Sequence, residues 1–478
     1  MKFEPVIGLE IHVELLTSTK IFCGCSTTFG AEPNSQTCPV CLGLPGSRPV
    51  LNKSAVEFAI RAALALNCDI VDYTTFDRKN YFYADLPKGY QISQYFYPTG
   101  TRGYVDVNVK GETRRIGIHQ LHLEEDTGKL LHVGDILASP YSRVDFNRAG
   151  VPLVEIVTEP DIKSSEEARL FLQKLRNILL YTGISDCKME EGSMRCDANV
   201  SIMPRGSETF GNKTELKNMN SFRSVQRGID YEINRQTKVL KSHQEVIPET
   251  RHWNESKGST TAMRSKYQAS DYRCFPDPNV IPLEIDKEWI QEIRGALPEL
   301  PDQKQERFIK EYGLPEYDAE VLTGSKELAD FYDETVTLYN EPKTVSNWFM
   351  GELMGLLNNE KVEITWCKIT PQNMAELLQL IDKGTISGKI AKSVFEEMFK
   401  EGKDPQSIVE EKGLVQISDT SELESIVEEV VQANPGPVED FKGGKKKALG
   451  FLVGQVMKAT RGQANPQMVN KILAEKLK

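Results

Sequence analysis

Four of the nine cysteines fall in two short pairs, Cys23-Gly-Cys25 and Cys38-Pro-Val-Cys41, twelve residues apart. Two Cys pairs flanking a turn-rich loop suit a tetrahedral Zn²⁺, whose thiolate ligands must converge without strain. The first pair is Cys-x-Cys rather than the commoner Cys-x-x-Cys. A four-thiolate site leaves no open coordination position, so its role would be structural. Cys68, Cys187, Cys196, Cys274 and Cys367 are scattered and read as small core or surface residues.

A second constellation is acidic. Gly8-Leu-Glu10-Ile-His12-Val-Glu14 alternates, so in a strand Glu10, His12 and Glu14 share one face. Charges repeated on a strand face are usually the wet side of a sheet. Here, however, similar stretches recur at Leu123-Glu124-Glu125-Asp126, at Leu153-Val-Glu155-Ile-Val-Thr-Glu159 and at Met189-Glu-Glu-Gly192 running into Arg195-Cys-Asp197-Ala-Asn199. Burying an unpaired carboxylate in such apolar sequence is costly. Gathered acids need a cation, and hard Mg²⁺ takes oxygen ligands and would also bind nucleotide phosphates.

Cations mixed with Asn and aromatics accompany the acids, in Asp77-Arg-Lys79-Asn-Tyr-Phe-Tyr83, Pro87-Lys88-Gly-Tyr-Gln91, Phe146-Asn-Arg148-Ala-Gly150, Glu215-Leu-Lys217-Asn-Met-Asn220, Glu249-Thr-Arg251 and Met263-Arg-Ser-Lys266. Each alone is the stuff of surface ion pairs. Together with a metal they are what phosphoryl transfer requires. Neither Gly-x-x-x-x-Gly-Lys-Ser/Thr nor Gly-x-Gly-x-x-Gly occurs, and there is no Ser nucleophile elbow. Met263-Arg-Ser-Lys266 is similar to a class I aminoacyl-tRNA synthetase signature but lacks a His-Ile-Gly-His partner.

The elements that must position these groups change character along the chain. Up to about residue 290, short β-like runs (Pro5 to Leu15, Gly103 to Val109, Val144 to Thr158, Asp197 to Met203) are broken by Gly, Pro and Asn. One helix interrupts them. Ser164 and Glu167 form a capping box, and Ala168, Phe171, Leu172, Leu175, Ile178 and Leu179 recur at helical spacing. An α+β domain around a largely antiparallel sheet is expected. Phe275-Pro-Asp-Pro-Asn-Val-Ile-Pro282 reads as a linker. Helices with short loops follow, among them a stripe of Ile390, Ala391, Val394, Phe395 and Met398 opened by Ser387. A Gly/Asp/Pro break at Glu401 to Pro405 precedes a last helical region with Leu449, Leu452, Val453 and Val456 on one face.

The chain has 478 residues, more than one ordinary core accommodates, and a net charge of −11. Taken whole, that charge argues against nucleic-acid binding. It is unevenly spread: residues 401–440 hold eleven acids and two bases, residues 441–478 nine bases and one acid, Glu475. The basic tail, with Lys445, Lys446, Lys447, Lys458 and Arg461, is either a solvated face or a phosphate-contacting surface. No apolar run reaches the roughly 18 residues of a membrane span, and the first residues are unlike a signal peptide, so a cytoplasmic protein is expected.

Gly8-Leu-Glu-Ile-His-Val-Glu-Leu15, Arg78-Lys-Asn-Tyr-Phe-Tyr83, Gln91-Ile-Ser-Gln94, Leu121-His-Leu-Glu-Glu-Asp126, Met189 to Asn199 and Leu216-Lys-Asn-Met-Asn-Ser-Phe222 resemble the B subunit of the heterotrimeric tRNA-dependent amidotransferase. The likeness continues through Ser346-Asn-Trp348 and Gly450-Phe-Leu-Val-Gly-Gln455 to Gly462-Gln-Ala-Asn-Pro466. It implies a glutamine-synthetase-like catalytic cradle carrying the Cys site (1–292), an all-α helical domain (293–406) and a small α-helical tRNA-binding tail (407–478). It implies that ATP phosphorylates the side-chain carboxylate of Glu misacylated on tRNA(Gln), or of Asp on tRNA(Asn). Ammonia from a glutaminase A subunit then gives the amide, and a small C subunit completes the heterotrimer.

By motif, Glu10, His12, Glu125, Glu155 and Asp197 resemble the catalytic cluster, the first four as Mg²⁺ ligands. Lys79, Lys88 and Arg148 are candidates for ATP or substrate contacts. The chain departs from the family at Ala84 and over residues 267–274, which leaves roles in that stretch open. The competing expectation is a zinc-stabilised RNA-binding assembly protein without catalysis, against which the recurring acids argue, since they repel phosphate.

Overall fold

In the computed structural model, residues 2–132, 141–265, 272–415, 420–443, 445, 447–460 and 463–477 are described. The chain forms two compact units, residues 1–301 and 302–478.

The first unit is built on a twelve-stranded sheet. Eleven of its strands are β1 (Phe3–Glu14), β2 (Asp77–Asn80), β3 (Tyr90–Ser93), β4 (Gly100–Val109), β5 (Glu112–Glu125), β6 (Pro152–Thr158), β7 (Met194–Pro204), β8 (Thr214–Met219), β9 (Glu249–Asn254), β10 (Ser259–Ser265) and β11 (Phe275–Pro276). Their order is β10-β9-β8-β7-β1-β6-β5-β3-β2-β11, with β4 beside β5 and the two-residue strand Asp69–Ile70 beside β4. Every pairing is antiparallel except β8 with β9. The unit is thus α+β with a largely antiparallel sheet.

β1 lies in the middle, and its sequence explains why. Ile7, Leu9, Ile11 and Val13 are buried on one face, while Gly8, Glu10, His12 and Glu14 alternate onto the other. The apolar face packs on α1 (Lys53–Ala65) and α2 (Ser165–Thr182) in a single core. Ser164 caps α2 by accepting from the Glu167 N–H at 3.1 Å, and Glu167 returns a carboxylate to the Lys163 N–H at 2.7 Å, one position earlier than the usual reciprocal cap. The apolar stripe expected for this helix is buried throughout.

Two sequence expectations are corrected. Val144 to Thr158 is not one strand: Ser142–Asp145 pairs with Lys129–His132, and β6 begins only at Pro152. The break between them carries Gly150 at φ +88°, a left-handed conformation that suits glycine. Nor is Phe275–Pro282 a loose linker. Phe275 and Pro276 pair with β2, and Leu283–Glu284 pairs with Tyr73–Thr74. The following helix, α3 (Lys287–Gly295), buries Ile290 and Ile293 in the first core.

The second unit contains two separate apolar clusters, one drawn from residues 308–409 and one from residues 423–477. Ser387 caps its helix by accepting from the Ile390 N–H, and Ile390, Ala391, Val394, Phe395 and Met398 are all buried. No helix among the described residues is long and apolar enough to cross a membrane.

Candidate active site

Strand register brings the acidic residues together. His12 on β1 lies opposite Glu155 on β6, which lies opposite His122 on β5. On the other side of β1, Glu10 lies opposite Asp197 and His12 opposite Arg195, both on β7. The pleat places this row on one face. His12 Nε2 is 3.4 Å from Glu155 Oε2, 3.7 Å from Glu10 Oε1 and 3.7 Å from Glu124 Oε1. His122 Nε2 is 3.3 Å from Glu155 Oε2 and 3.7 Å from Glu124 Oε2.

Two overlapping sets therefore offer convergent ligand atoms, Glu10–His12–Glu155 and His122–Glu124–Glu155. Glu124 is buried, and its Oε2 accepts no hydrogen bond. A buried carboxylate oxygen without a donor is costly unless a cation completes it. The carboxylates of these sets fit a hard divalent ion, and the imidazoles add softer nitrogen donors.

The charges in this row hold one another. Burial favours the neutral ring of His12, but the hydrogen bond and charge of Glu155, then the charge of Glu124, raise its pKa. The same partners lift His122 to about 10 against the cost of its burial. Burial likewise opposes the charge of Glu155, yet His122 and His12 bring it well below the ordinary carboxylate range. Glu10 moves the other way, raised by burial and by the neighbouring Glu155 charge.

Lysines stand at both ends of the row. Asp197 occupies an irregularity in the β7–β8 register and is ion-paired with Lys217, whose ammonium also lies 3.3 Å from Glu215. Beyond β5, Lys79 on β2 stays charged despite burial because Glu124 and then Glu155 raise its pKa. A further group lies along the same face: Arg195 donates to Asp126 at 2.7 Å, and Arg148 lies 3.5 Å from it. Burial opposes Asp126's charge, but Arg195 and Arg148 hold its pKa at about 2, while burial and the Asp126 charge push Glu14 to about 8.

Of the residues singled out by sequence, Glu10, His12, Glu155 and Asp197 share this face. Glu125 does not. Its neighbour Glu124 takes that place, because Leu121 and Leu123 are buried in the core and the residues between and beyond them face the other way. Glu125 instead pairs with Lys88 and accepts from the Ile92 N–H at 2.8 Å. Both line a cavity of about 110 Å³ with Lys20, Cys23, Cys41 and Arg78. Arg148 hydrogen-bonds the Thr127 and Gly128 carbonyls. His122, Glu124 and Lys217 were missed as site residues. For the first two, the alternation of Leu121 and Leu123 carried the signal.

Cys23, Cys25, Cys38 and Cys41 converge, with sulfur atoms within 4.8 Å of one another, so this cluster could hold a metal. Lys20, fully buried, places Nζ 3.7 Å from Cys41 Sγ, and the Cys38 N–H donates to the same sulfur at 3.1 Å. The hydrogen bond from Cys23 holds the Cys41 thiol down at about 4. Gly43, at φ +69°, lies so close to Lys88 that a β-carbon would overlap its side chain.

Residues 5–291 match the GatB/GatE catalytic domain, and residues 330–477 match the GatB domain. The chain belongs to the GatB/GatE family. It is 60% identical over 476 residues, all of this chain and 99% of the relative, to the B subunit of the aspartyl/glutamyl-tRNA(Asn/Gln) amidotransferase of Carboxydothermus hydrogenoformans. It is 60% identical over 477 residues, the whole of both chains, to the protein of the same name from Caldanaerobacter subterraneus subsp. tengcongensis. The Persephonella marina protein of that name is 58% identical over 479 residues, again the whole of both chains. The strands that carry the acidic row, β1, β5, β6 and β7, fall within the part matched to the GatB/GatE catalytic domain, apart from the first two residues of β1.

Proposed function

We propose that this chain is the B subunit that activates the side-chain carboxylate of Glu misacylated on tRNA(Gln), or of Asp on tRNA(Asn), with ATP. The observation that carries the reading is the convergence of Glu10, His12, Glu124 and Glu155 on one sheet face between Lys79 and Lys217. In the reaction, a carboxylate oxygen attacks the γ-phosphorus of ATP and the bond to the bridging oxygen breaks, releasing ADP. Ammonia from a glutaminase subunit then attacks the acyl carbon. Phosphate leaves, a proton is lost, and the amide remains.

Two anions must approach, so positive charge is the first requirement. Glu10, Glu124 and Glu155 would hold Mg²⁺, His12 would join them only by giving up its proton, and His122 would stand beside them. When bound, Mg²⁺ supplies the charge that lets carboxylate and triphosphate meet. Lys79 adds a half-buried ammonium on one side. Lys217 neutralises Asp197, which lies opposite Glu10 in the strand register. Lys88 is held by Glu125 on the opposite face, so its contribution would be to the cavity there.

In the same reading, Zn²⁺ on the Cys quartet braces the loop that closes that cavity. The helical region 293–406 supports the tail 407–478, and the tail contacts tRNA phosphates. The A and C subunits are the partners. A non-catalytic RNA-binding role is disfavoured by the buried acids. Mg²⁺-dependent ATP cleavage that requires misacylated tRNA tests the assignment. In the reconstituted complex Glu155→Gln should lose it by roughly a hundredfold or more. Near-normal cleavage would refute it.

A further inference from the structure

Beside the acidic row, the chain after β2 places three aromatic rings in succession, Tyr81, Phe82 and Tyr83, and Tyr272 adds a fourth. Tyr81 meets Tyr83 and Tyr272, in each case at 6.0 Å between ring centres and near a right angle. Neither contact is a face-to-face stack. Phe82 and Tyr83 are 91% and 56% exposed, which nothing in the core requires. Isolated exposed aromatics are ordinary, but grouped ones mark contact surfaces.

Tyr81 and Tyr272 are anchored rather than loose. Tyr81 donates its hydroxyl to Gln91 Oε1 at 3.0 Å, and Gln91 in turn donates to the Glu125 carbonyl at 2.7 Å. Tyr272 is tied to β2 by the Asn80 N–H, which donates to its carbonyl at 2.9 Å. Lys79 joins the rings to the acids: its Nζ lies 5.1 Å over the Tyr272 ring, and it interacts with Glu124 and Glu155. A phosphate at Lys79 would therefore have the buried acidic row on one side and solvent-facing aromatic rings on the other.

We propose that Phe82, Tyr83 and Tyr272 form a stacking rim for the purine base of a nucleotide whose reacting group lies at the acidic row. The inference rests on the function proposed above, because both of that reaction's substrates carry an adenine: ATP, and the adenosine that ends the tRNA. Aromatic rings accept any base by its face, and an adjacent cation secures the attached phosphate. The rim chemistry is the same for either source, and the experiment separates them.

The test uses the full chain in its amidotransferase complex, with the double variant Phe82→Leu/Tyr83→Leu and the aromatic-preserving pair Phe82→Tyr/Tyr83→Phe. Binding is measured for a non-hydrolysable ATP analogue with Mg²⁺ and for tripolyphosphate, which has no base. The KM for misacylated tRNA is measured at saturating ATP.

If the rim holds the adenine of ATP, the leucine variant binds the analogue roughly tenfold more weakly, with tripolyphosphate unchanged. If it holds the tRNA terminus, analogue binding stands and the KM for misacylated tRNA rises by a similar factor. In both cases the aromatic-preserving pair behaves like the parent protein. Unchanged affinity for both substrates overturns the proposal. So does weakened subunit association with substrate binding intact, which would make the rim a protein-docking surface. Failure of the acidic-row reading shows separately, as retained ATP cleavage in Glu155→Gln.

Discussion

Glu124 and Glu125 are adjacent in sequence and serve opposite faces of the sheet: Glu124 lies 3.7 Å from His12 Nε2, while Glu125 accepts from the Ile92 N–H at 2.8 Å and pairs with Lys88. One residue of strand phase thus separates a carboxylate beside the imidazoles from one that closes a cavity against a buried lysine.

The two glutamates should therefore fail differently. Glu124→Gln should remove tRNA-dependent ATP cleavage by roughly a hundredfold or more while leaving the melting temperature nearly unchanged. Glu125→Gln should leave Lys88 buried without its counter-charge and destabilise the first unit by about 3 kcal/mol. Paired ATPase assays and thermal melts decide this. Equal melting temperatures for the two variants would contradict the assignment of faces.

The cysteine cluster predicts about one Zn²⁺ per chain in freshly purified protein. Cys38→Ser or chelation should lower the stability of the first unit, and the chelated chain should regain it on adding back Zn²⁺. Elemental analysis finding no zinc would refute the site.

In the second unit, Arg307 grips Asp333 with both guanidinium nitrogens at 3.0 and 2.6 Å, and Lys304 and Lys326 hold Asp330. Burial opposes the charge on both carboxylates, yet Arg307 and Tyr312 hold Asp333, and Lys304 and Lys326 hold Asp330, below the ordinary Asp value of 3.8. A depressed folded pKa contributes stability above about pH 4, and that contribution is lost as pH falls through the folded value. Melting of the helical unit should therefore fall steeply below about pH 4. Asp333→Asn should flatten that acid limb, and an unchanged limb would show the pair contributes little.

For the tail, Lys447 and Lys458 are exposed, whereas Lys445 pairs with Asp440 at 2.9 Å and Lys476 with Glu428 at 2.8 Å. Lys446 and Arg461 lie outside the described residues. Deleting residues after about 406 should weaken tRNA binding and flatten its dependence on salt, because fewer counterions are released. ATP binding should persist. Unchanged tRNA affinity at low salt would assign the tail another task.

The central strand was legible because Glu10, His12 and Glu14 alternate strictly with Leu9, Ile11 and Val13, and only one arrangement buries the second set. The helix at Ser165–Thr182 was legible from its cap and stripe. Glu124 was not, because three consecutive acids carry no alternation of their own and the eye must take its phase from Leu121 and Leu123. Lys217 was hidden for another reason. Its place beside Asp197 depends on a register irregularity that pattern alone does not reveal. The break between Asp145 and Pro152 was lost because apolar residues run through it, although Gly150 marked it. Residues 266–271, most of them within the stretch that departs from the family, lie outside the described residues.

The middle position of β1 has a consequence for biosynthesis. Both its neighbours, β6 and β7, are encoded much later in the chain, after β2, β3, β4 and β5. Until they arrive, a strand with five buried apolar side chains has two open edges, a hazard that a nascent chain must survive with help or by folding late. His12 meets Glu155, and Glu10 meets Asp197, only when those distant strands pair, so a chain not yet translated through β7 cannot assemble the acidic row.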